Sequence, residues 1–412
     1  MKMKITFLTI VSTLLLMLPA EAQKSSERIA VTAKRMIDVR SGKEITDAVV
    51  LIEKNKIVNV GSGLSIPDSV QVIALGDVTL LPGLIDAHTH LLHQYYAKYG
   101  DDNSNRLLEM VQLGPARRAL LGARVAREML EAGFTSVRDL GNAGINADIA
   151  LRDAIKNGDV PGPRMFVSTR ALAPVGGQFQ SVTPEAQQLI GQEYIQISGV
   201  EEARKAVRQA VYEGADCIKV IANSGARRLS SEEMKVIVEE AKRANLPVAA
   251  HATDGDGPSM TAVEAGVSSI EHGYTISEAV LNLMAKKNIF LVPTDASGVT
   301  RYQDRIKRAL KAGVRIAIGS DIYYEFPGMT RGQASIGMYK PYVASGMTNI
   351  EILRAATLNP ADLIGSNSIG TIEAGRFADI IAVKGNPLND IGVLEGVVFV
   401  MKDGKVYKQT LH

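Results

Sequence analysis

The chain has 412 residues, 46 Lys and Arg against 44 Asp and Glu, one cysteine, no tryptophan and only six histidines. The near-neutral balance gives no electrostatic reason to expect a nucleic acid partner, and 46% hydrophobic with 22% charged residues argues against a disordered chain. A single cysteine, Cys217, rules out an intramolecular disulfide, so the core must hold the fold without staples. Residues 1–22 read as an export signal: Lys2 and Lys4 precede an apolar run from Ile5 to Leu18, and Ala20 and Ala22 are the small residues a signal peptidase inspects. That run is short of the ~20 residues a bilayer needs, and no later stretch is long and apolar enough to span one. The mature chain is therefore expected to begin near Gln23, without membrane insertion, in the periplasm or outside the cell.

From Ile29 to Leu80 the pattern is short strands and turns. Asp47–Glu53 and Lys56–Val60 flank the tight turn Lys54-Asn55, a hairpin signal. The far end repeats this texture: Asp379–Val383 and Val397–Lys402 read as strands, and Asp403-Gly404 is a two-residue turn before Lys405–Tyr407. Two strand-rich ends predict one small β domain built from residues 23–80 and 366–412. The middle, 81–365, alternates. Helices over Ala116–Ala132 and Glu201–Glu213, and one opened by a Ser230/Glu233 capping box, are each followed by a short apolar run. Strand candidates are Leu80–His90, Thr135–Asp139, Arg164–Ser168, Asp216–Val220, Val248–His251, Ser269–His272, Ile289–Thr294 and Arg315–Asp321. Eight βα units predict an α/β fold of the (β/α)8 TIM barrel type, with a small β-sandwich from both chain ends. A doubly wound open sheet is the alternative, disfavoured because no Gly-rich phosphate turn follows a strand.

Active groups of such a barrel lie at the C-terminal strand ends. That rule gathers His88 and His90 from the first strand, Lys219 from the fourth, His251 from the fifth, His272 from the sixth and Asp321 from the eighth. Two residues apart on a strand, His88 and His90 point to one side and can share a metal ion. A lone histidine at a strand end is more often structural; four on one face, from six in the chain, are harder to dismiss. His93, in the following loop, is expected to be solvated or to stand behind the ligands. Lys219 ends an apolar strand beside these groups. Snorkelling to the rim would explain it; a neutral amine that has reacted with carbon dioxide, giving an anionic carbamate, explains it better.

Leu81-Pro-Gly-Leu-Ile-Asp-Ala-His-Thr-His90 resembles the signature of the amidohydrolase superfamily, and the tail from Ala356 to Ala361 and Gly370 to Ile380 resembles that family's last helix and return to the β domain. Ser136–Gly141, Gly214–Lys219 and Ser269–Gly273 look most like the imidazolonepropionase-related group that includes Xaa-Pro dipeptidases. The resemblance implies a binuclear centre of two divalent ions, with zinc expected. One ion would take His88, His90 and Asp321, the other His251 and His272, with carboxylated Lys219 bridging. Asp321 would accept the proton of the attacking water and pass it to the leaving amine. Asp321 and Lys219 are thus the catalytic candidates, and hydrolysis of a small-molecule amide is the expected reaction.

Substrate contacts are thinner in the sequence. Tyr95, with Tyr96 and Tyr99, follows the first strand, and Arg227 and Arg228 follow the fourth, where they could bind a carboxylate. Related dipeptidases often carry a histidine after the Gly176-Gly177 pair; here it is Gln178, which puts a simple dipeptide in question and opens an N-acyl amino acid or another amide as substrate. Asp254 and Asp256 could meet an amine or merely make a turn, and Cys217 is expected to be a buried core thiol. A cyclic-amide or lactone hydrolase, or a deaminase, is the alternative; a non-catalytic binding protein ranks last because all six candidate ligands are present. Oligomeric state is not legible, although barrels of this family often assemble into homo-oligomers.

Overall fold

The computed structural model describes residues 28–295 and 303–411; the expected export signal and His412 lie outside the described residues. Both chain ends contribute to one sheet. Arg28–Asp38 pairs antiparallel with Lys43–Glu53, which pairs with Lys56–Ser62. On its other edge Arg28–Asp38 meets Gln71–Ala74 and Thr79–Pro82, and the latter pairs with Ile380–Val383, followed by Val397–Lys402 and Lys405–Gln409. In hydrogen-bond terms the expected sandwich is a single eight-stranded sheet. Its two tight turns fall where the sequence places them, with Lys54 and Asp403 in the left-handed region at φ 56° and 52°.

Strand Ile380–Val383 shows how this sheet meets the rest of the chain. Ile380 and Ala382 pack with Val31, Val50, Leu80 and Phe399 inside the β domain. Ile381 and Val383 instead join Leu84, Val125, Met129 and Leu130 in the core of the middle region. This is the period-two pattern of a strand buried on both faces. The chain crosses from one sheet to the next at Gly83, where any Cβ would sit 2.0 Å from Thr135 Oγ1.

The middle region is parallel. Leu84–Thr89, Phe134–Asp139 and Arg164–Val167 form one sheet. Tyr194–Ile197, Ala171–Pro174, Ile218–Ile221, Val248–Ala252, Ser269–His272 and Phe290–Val292 form another, in that order. Backbone bonds continue beyond these ladders, among them Asp216 N–H to Val167 O (2.7 Å), Leu291 N–H to Arg315 O (3.0 Å) and Ala87 N–H to Ile318 O (2.9 Å). Helices intervene, and the Ser230 capping box forms as its sequence requires. Ser230 Oγ accepts from Glu233 N–H (3.2 Å) while the Glu233 carboxylate accepts from Ser230 N–H (2.7 Å) and from Gly199 N–H (2.6 Å). No helix among the described residues is long and apolar enough to cross a membrane.

Two elements depart from the sequence pattern. Arg315–Asp321, read as a strand, makes only an isolated bridge between Ile316 and Leu291. Its end leaves the ladder because Ser320 N–H donates to the Asp86 carboxylate (2.9 Å) and Asp321 N–H to His88 O (2.8 Å). The parallel pair Ala171–Pro174 and Tyr194–Ile197 carries too little apolar periodicity, and too many Pro and Gly neighbours, to read as strand.

Candidate metal centre

The first parallel strand, Leu84–Thr89, carries His88 near its end, and His90 follows directly with its imidazole brought to the same cluster. His88 is completely buried and His90 nearly so. The loop beyond is pinned by Asp139, whose carboxylate accepts from Leu91 N–H (2.7 Å) and the Thr89 hydroxyl (3.1 Å); burial pushes that carboxyl up to about 6. The turn ending at Asp321 lies against the same strand. Asp321 Oδ1 approaches His90 Nε2 at 3.3 Å and His88 Nε2 at 3.7 Å, and donor atoms of the three residues lie within 4.8 Å of one another. Strand Ile218–Ile221 puts Lys219 Nζ 3.2 Å from His88 Nε2. His251 and His272 arrive from the next two strands, their rings 4.6 Å apart, with His272 5.1 Å from His88.

The outer nitrogens of three histidines are held. His88 Nδ1–H donates to Glu271 (2.7 Å), His90 Nδ1–H to Gly141 O (2.9 Å), and His272 Nδ1–H to the Thr294 hydroxyl (2.8 Å), which itself donates to Pro293 O. Each neutral imidazole then carries its lone pair on Nε2, that of His88 facing Lys219 Nζ. Burial pushes the His88 and His272 imidazoles well below their usual range, and desolvation with the neighbouring Lys219 charge holds His251 at about 3. Burial alone would raise Asp321, but His88, His90 and Lys219 outweigh it and hold the carboxyl at about 2. Lone pairs and a carboxylate with scarcely a proton among them form a donor set that a divalent cation satisfies, so these residues fit a metal site. Burial lowers Lys219 to about 8, within reach of the free amine that carbon dioxide needs.

Strain gathers here too. His272, Thr294 and Asp321 all adopt positive φ, at 66°, 55° and 50°, which side chains rarely accept outside functional sites. Gly319 permits the closest approach: a Cβ there would lie 2.5 Å from His88 Cβ and 2.8 Å from its backbone nitrogen. Gly319→Ala is expected to displace His88, costing about 1–3 kcal/mol of stability and weakening metal retention 10–100-fold. Thermal melts and metal titration of the variant check both effects.

A cavity of about 170 Å³ opens over the cluster and is walled by all six candidate ligands together with Gln178, His93, Arg106, Tyr194 and Tyr323. Gln178 accepts from the Tyr194 hydroxyl (3.0 Å), and its amide nitrogen lies 3.4 Å from His251 Nε2. Other sequence candidates go elsewhere. Tyr95 donates its hydroxyl to Gly100 O (2.7 Å) and packs on Tyr324. Arg227 is consumed by Val175 O, Phe179 O and the Ser224 hydroxyl, and Arg228 points to solvent. Neither arginine, nor Tyr95, lines the cavity. Asp254 accepts from Asn223 (2.7 Å), and Asp256 from Ser277 N–H (2.8 Å). His93, expected to be solvated or behind the ligands, is buried, bonded to Glu109 and set against Tyr323 at 4.7 Å. Cys217 packs with Leu140 and Ala249. The sequence does not mark Arg106, Tyr194 or Tyr323 as site residues. The Asp102/Arg106 spacing at i,i+4 is visible in the sequence, but it reads as an ordinary helix-surface pair.

The amidohydrolase family profile matches residues 79–407, and the chain belongs to that family of hydrolases acting on carbon–nitrogen bonds. It is 32% identical to ochratoxinase of Aspergillus niger over 424 residues, covering 89% of this chain and 84% of the relative; the crystal structure of that enzyme superposes with a TM-score of 0.80. A solved Xaa-Pro dipeptidase with methionine bound in its active site shares 30% identity and a TM-score of 0.81, over 92% of this chain and 100% of its own. Imidazolonepropionase of Fusobacterium nucleatum subsp. nucleatum is 25% identical over 366 residues, spanning 80% of this chain and 83% of the relative.

Proposed function

We propose that this chain is an exported, binuclear, metal-dependent amidohydrolase cleaving a peptide-like amide, an N-acyl amino acid or dipeptide, within a closed (β/α)8 barrel. The observation that carries the reading is the convergence of His88, His90, Lys219, His251, His272 and Asp321 on one small cavity. His88, His90 and Asp321 would hold one ion, His251 and His272 the other, with carboxylated Lys219 between them. Imidazole and carboxylate donors without a thiolate suit zinc. When bound, two such ions lower the pKa of water and polarise a carbonyl oxygen.

The chain's own groups do the rest. Lys219 Nζ adds to carbon dioxide, forming an N–C bond and losing a proton, which turns a buried amine into a carboxylate-like ligand. Glu271, Gly141 and Thr294 fix the tautomer and orientation of the imidazoles, while burial keeps His88 and His272 neutral. Asp321, ionised at neutral pH, accepts a proton from the attacking water. It delivers that proton to the amide nitrogen as the C–O bond forms and the C–N bond breaks. Likeness to a Xaa-Pro dipeptidase supports an acyclic amide as substrate.

The test is a panel of dipeptides, N-acyl amino acids, lactones and heterocyclic amides assayed with metal-analysed protein. Turnover of acyclic amides with two ions per chain is the expected result. Turnover confined to lactones or heterocycles, or purified protein without metal or activity, overturns the reading. Export rests on residues 1–22, and recovery of the chain from the cytoplasm with those residues still attached would refute it.

A further inference from the structure

A second cavity lies at the opposite ends of the parallel strands from the metal centre, where the β domain meets the middle region. Arg164 and Met165, which open strand Arg164–Val167, line it beside Asp216, which precedes strand Ile218–Ile221. The last turns of helix Ala147–Asn157 close one side, and the turns at Asn55 and Asp403 close another. Its volume of about 750 Å³ exceeds the 170 Å³ over the metal cluster. It falls inside the roughly 300–1,000 Å³ of small-molecule sites.

Nothing in the packing of the sheet calls for Lys402. It ends strand Val397–Lys402, in which Phe399 and Met401 pack inside the β domain and Val400 packs into the middle region. By the period of two, Lys402 takes the face of Val400, and its side chain is only 6% exposed. A lysine so buried is ordinarily paired. Its ion-pair contact, Asp403 Oδ2 at 3.6 Å, is too long for a hydrogen bond. The other oxygen of Asp403 already accepts from Arg164 Nη2 (2.7 Å). Burial pulls the Lys402 ammonium below the usual lysine range, and an ammonium without a close partner is costly to bury. The neighbouring carboxylates are spoken for. Asp153 and Asp216 match Arg152, each at 2.9 Å, while Asp403 and Asp379 match Arg164. Even so, Arg164 Nε is buried without an acceptor. Lys156 on the rim, and Lys56 at 3.3 Å over the Phe377 ring of the wall, make no ion pair among the described residues. Positive charge therefore exceeds what the carboxylates here balance. Beside it Ile155, Met165 and Phe166 supply an apolar wall.

We propose that this cavity is a second binding site, separate from the metal centre, for a small organic anion whose carboxylate or phosphate headgroup pairs with Lys402 and whose apolar body lies against Ile155, Met165 and Phe166. A neutral ligand would leave Lys402 unpaired, and an inorganic anion would leave the apolar wall uncovered. The site stands whatever bond the metal centre cuts. Iodinated probes test it: 4-iodophenylacetate, 4-iodophenyl phosphate, the neutral 2-(4-iodophenyl)ethanol and inorganic phosphate. Each is titrated calorimetrically into the metal-loaded protein and into Lys402→Met. Anions also meet the metal ions, so the decisive quantity is the binding that the substitution removes. At least one iodophenyl anion is expected to bind about 10-fold or more tightly than the alcohol, and to lose that margin in Lys402→Met while metal content is unchanged. Whichever anion binds more tightly identifies the headgroup as carboxylate or phosphate. Anion binding that Lys402→Met leaves intact belongs to the metal centre and overturns the proposal, as does equal binding of the alcohol. Inorganic phosphate binding as tightly as its aryl ester overturns the organic anion as ligand. A crystal of the unsubstituted protein soaked with the tighter anion decides independently of any variant. Iodine scattering beside Phe166 is the expected result, and iodine found only at the metal centre overturns the site.

Discussion

Lys219→Ala is expected to lose one of two divalent ions per chain and about three orders of magnitude in kcat/KM, on the scale of removing a group that meets transition-state charge directly. Small carboxylic acids such as acetate should restore part of the activity, because the cleared volume would accept a carboxylate in place of the proposed carbamate. Lys219→Arg should be as inactive and immune to rescue, since a guanidinium does not add to carbon dioxide. A two-ion, fully active Lys219→Ala enzyme would sink the carbamate assignment. Stability of the metal-free protein separates this role from a structural one. Burial lowers the Lys219 amine from 10.5 to about 8, so between those pH values the unfolded chain binds more protons than the folded one. Stability therefore rises with pH across that window, and at neutral pH the buried ammonium costs up to about 3 kcal/mol. Lys219→Met should relieve that cost and raise the melting temperature of the metal-free protein at pH 7. The same substitution should remove the gain between pH 8 and 10.5. A lysine kept for packing would show the opposite: a lower melting temperature at every pH.

Strand ends, caps and spacing make much of this molecule legible in its sequence. His88 and His90 sit where period-two geometry requires, and the Ser230 box and the turns at Lys54 and Asp403 obey local rules that need no tertiary context. The walls of the cavity were less accessible. Arg227 follows a strand as a substrate contact should, yet carbonyls brought from the Val175–Phe179 segment claim it, and that encounter depends on long-range packing. Arg106 reaches the cavity because its helix folds back over the strand ends, so a helix-surface pair becomes a wall. Asp86 behaves similarly. Its carboxyl looks like one more strand residue, but it accepts from His88 N–H and Ser320 N–H and is pushed by burial to about 7, joining the first strand to the turn that presents Asp321. Sequence periodicity reports which face a residue takes, not which distant partner will satisfy it.

Buried charge behind the ligands gives the other large effect. Arg138 and Glu271, both fully buried, lie mid-strand in apolar surroundings. Arg138 donates to Ala87 O (2.6 Å), the Ser269 hydroxyl (3.2 Å) and Glu271 Oε1 (2.8 Å), while Glu271 Oε2 takes the Nδ1 proton of His88 (2.7 Å). Arg138→Met should therefore cost about 3–5 kcal/mol, because it leaves the Glu271 carboxylate buried with no cation to balance it. Glu271→Leu should cost a similar amount by stranding the guanidinium, and should also free His88 to rotate. The double variant Arg138→Met with Glu271→Leu removes both charges together and is expected to recover most of the lost stability in a chemical-denaturation cycle. Metal affinity should not recover with it. Without Glu271 nothing fixes the His88 tautomer, so the double variant should still bind its metal 10–100-fold more weakly than the unsubstituted protein. Recovery of both quantities would mean that the pair is only structural; recovery of neither would mean that Arg138 holds the strands through Ala87 and Ser269 rather than through its charge.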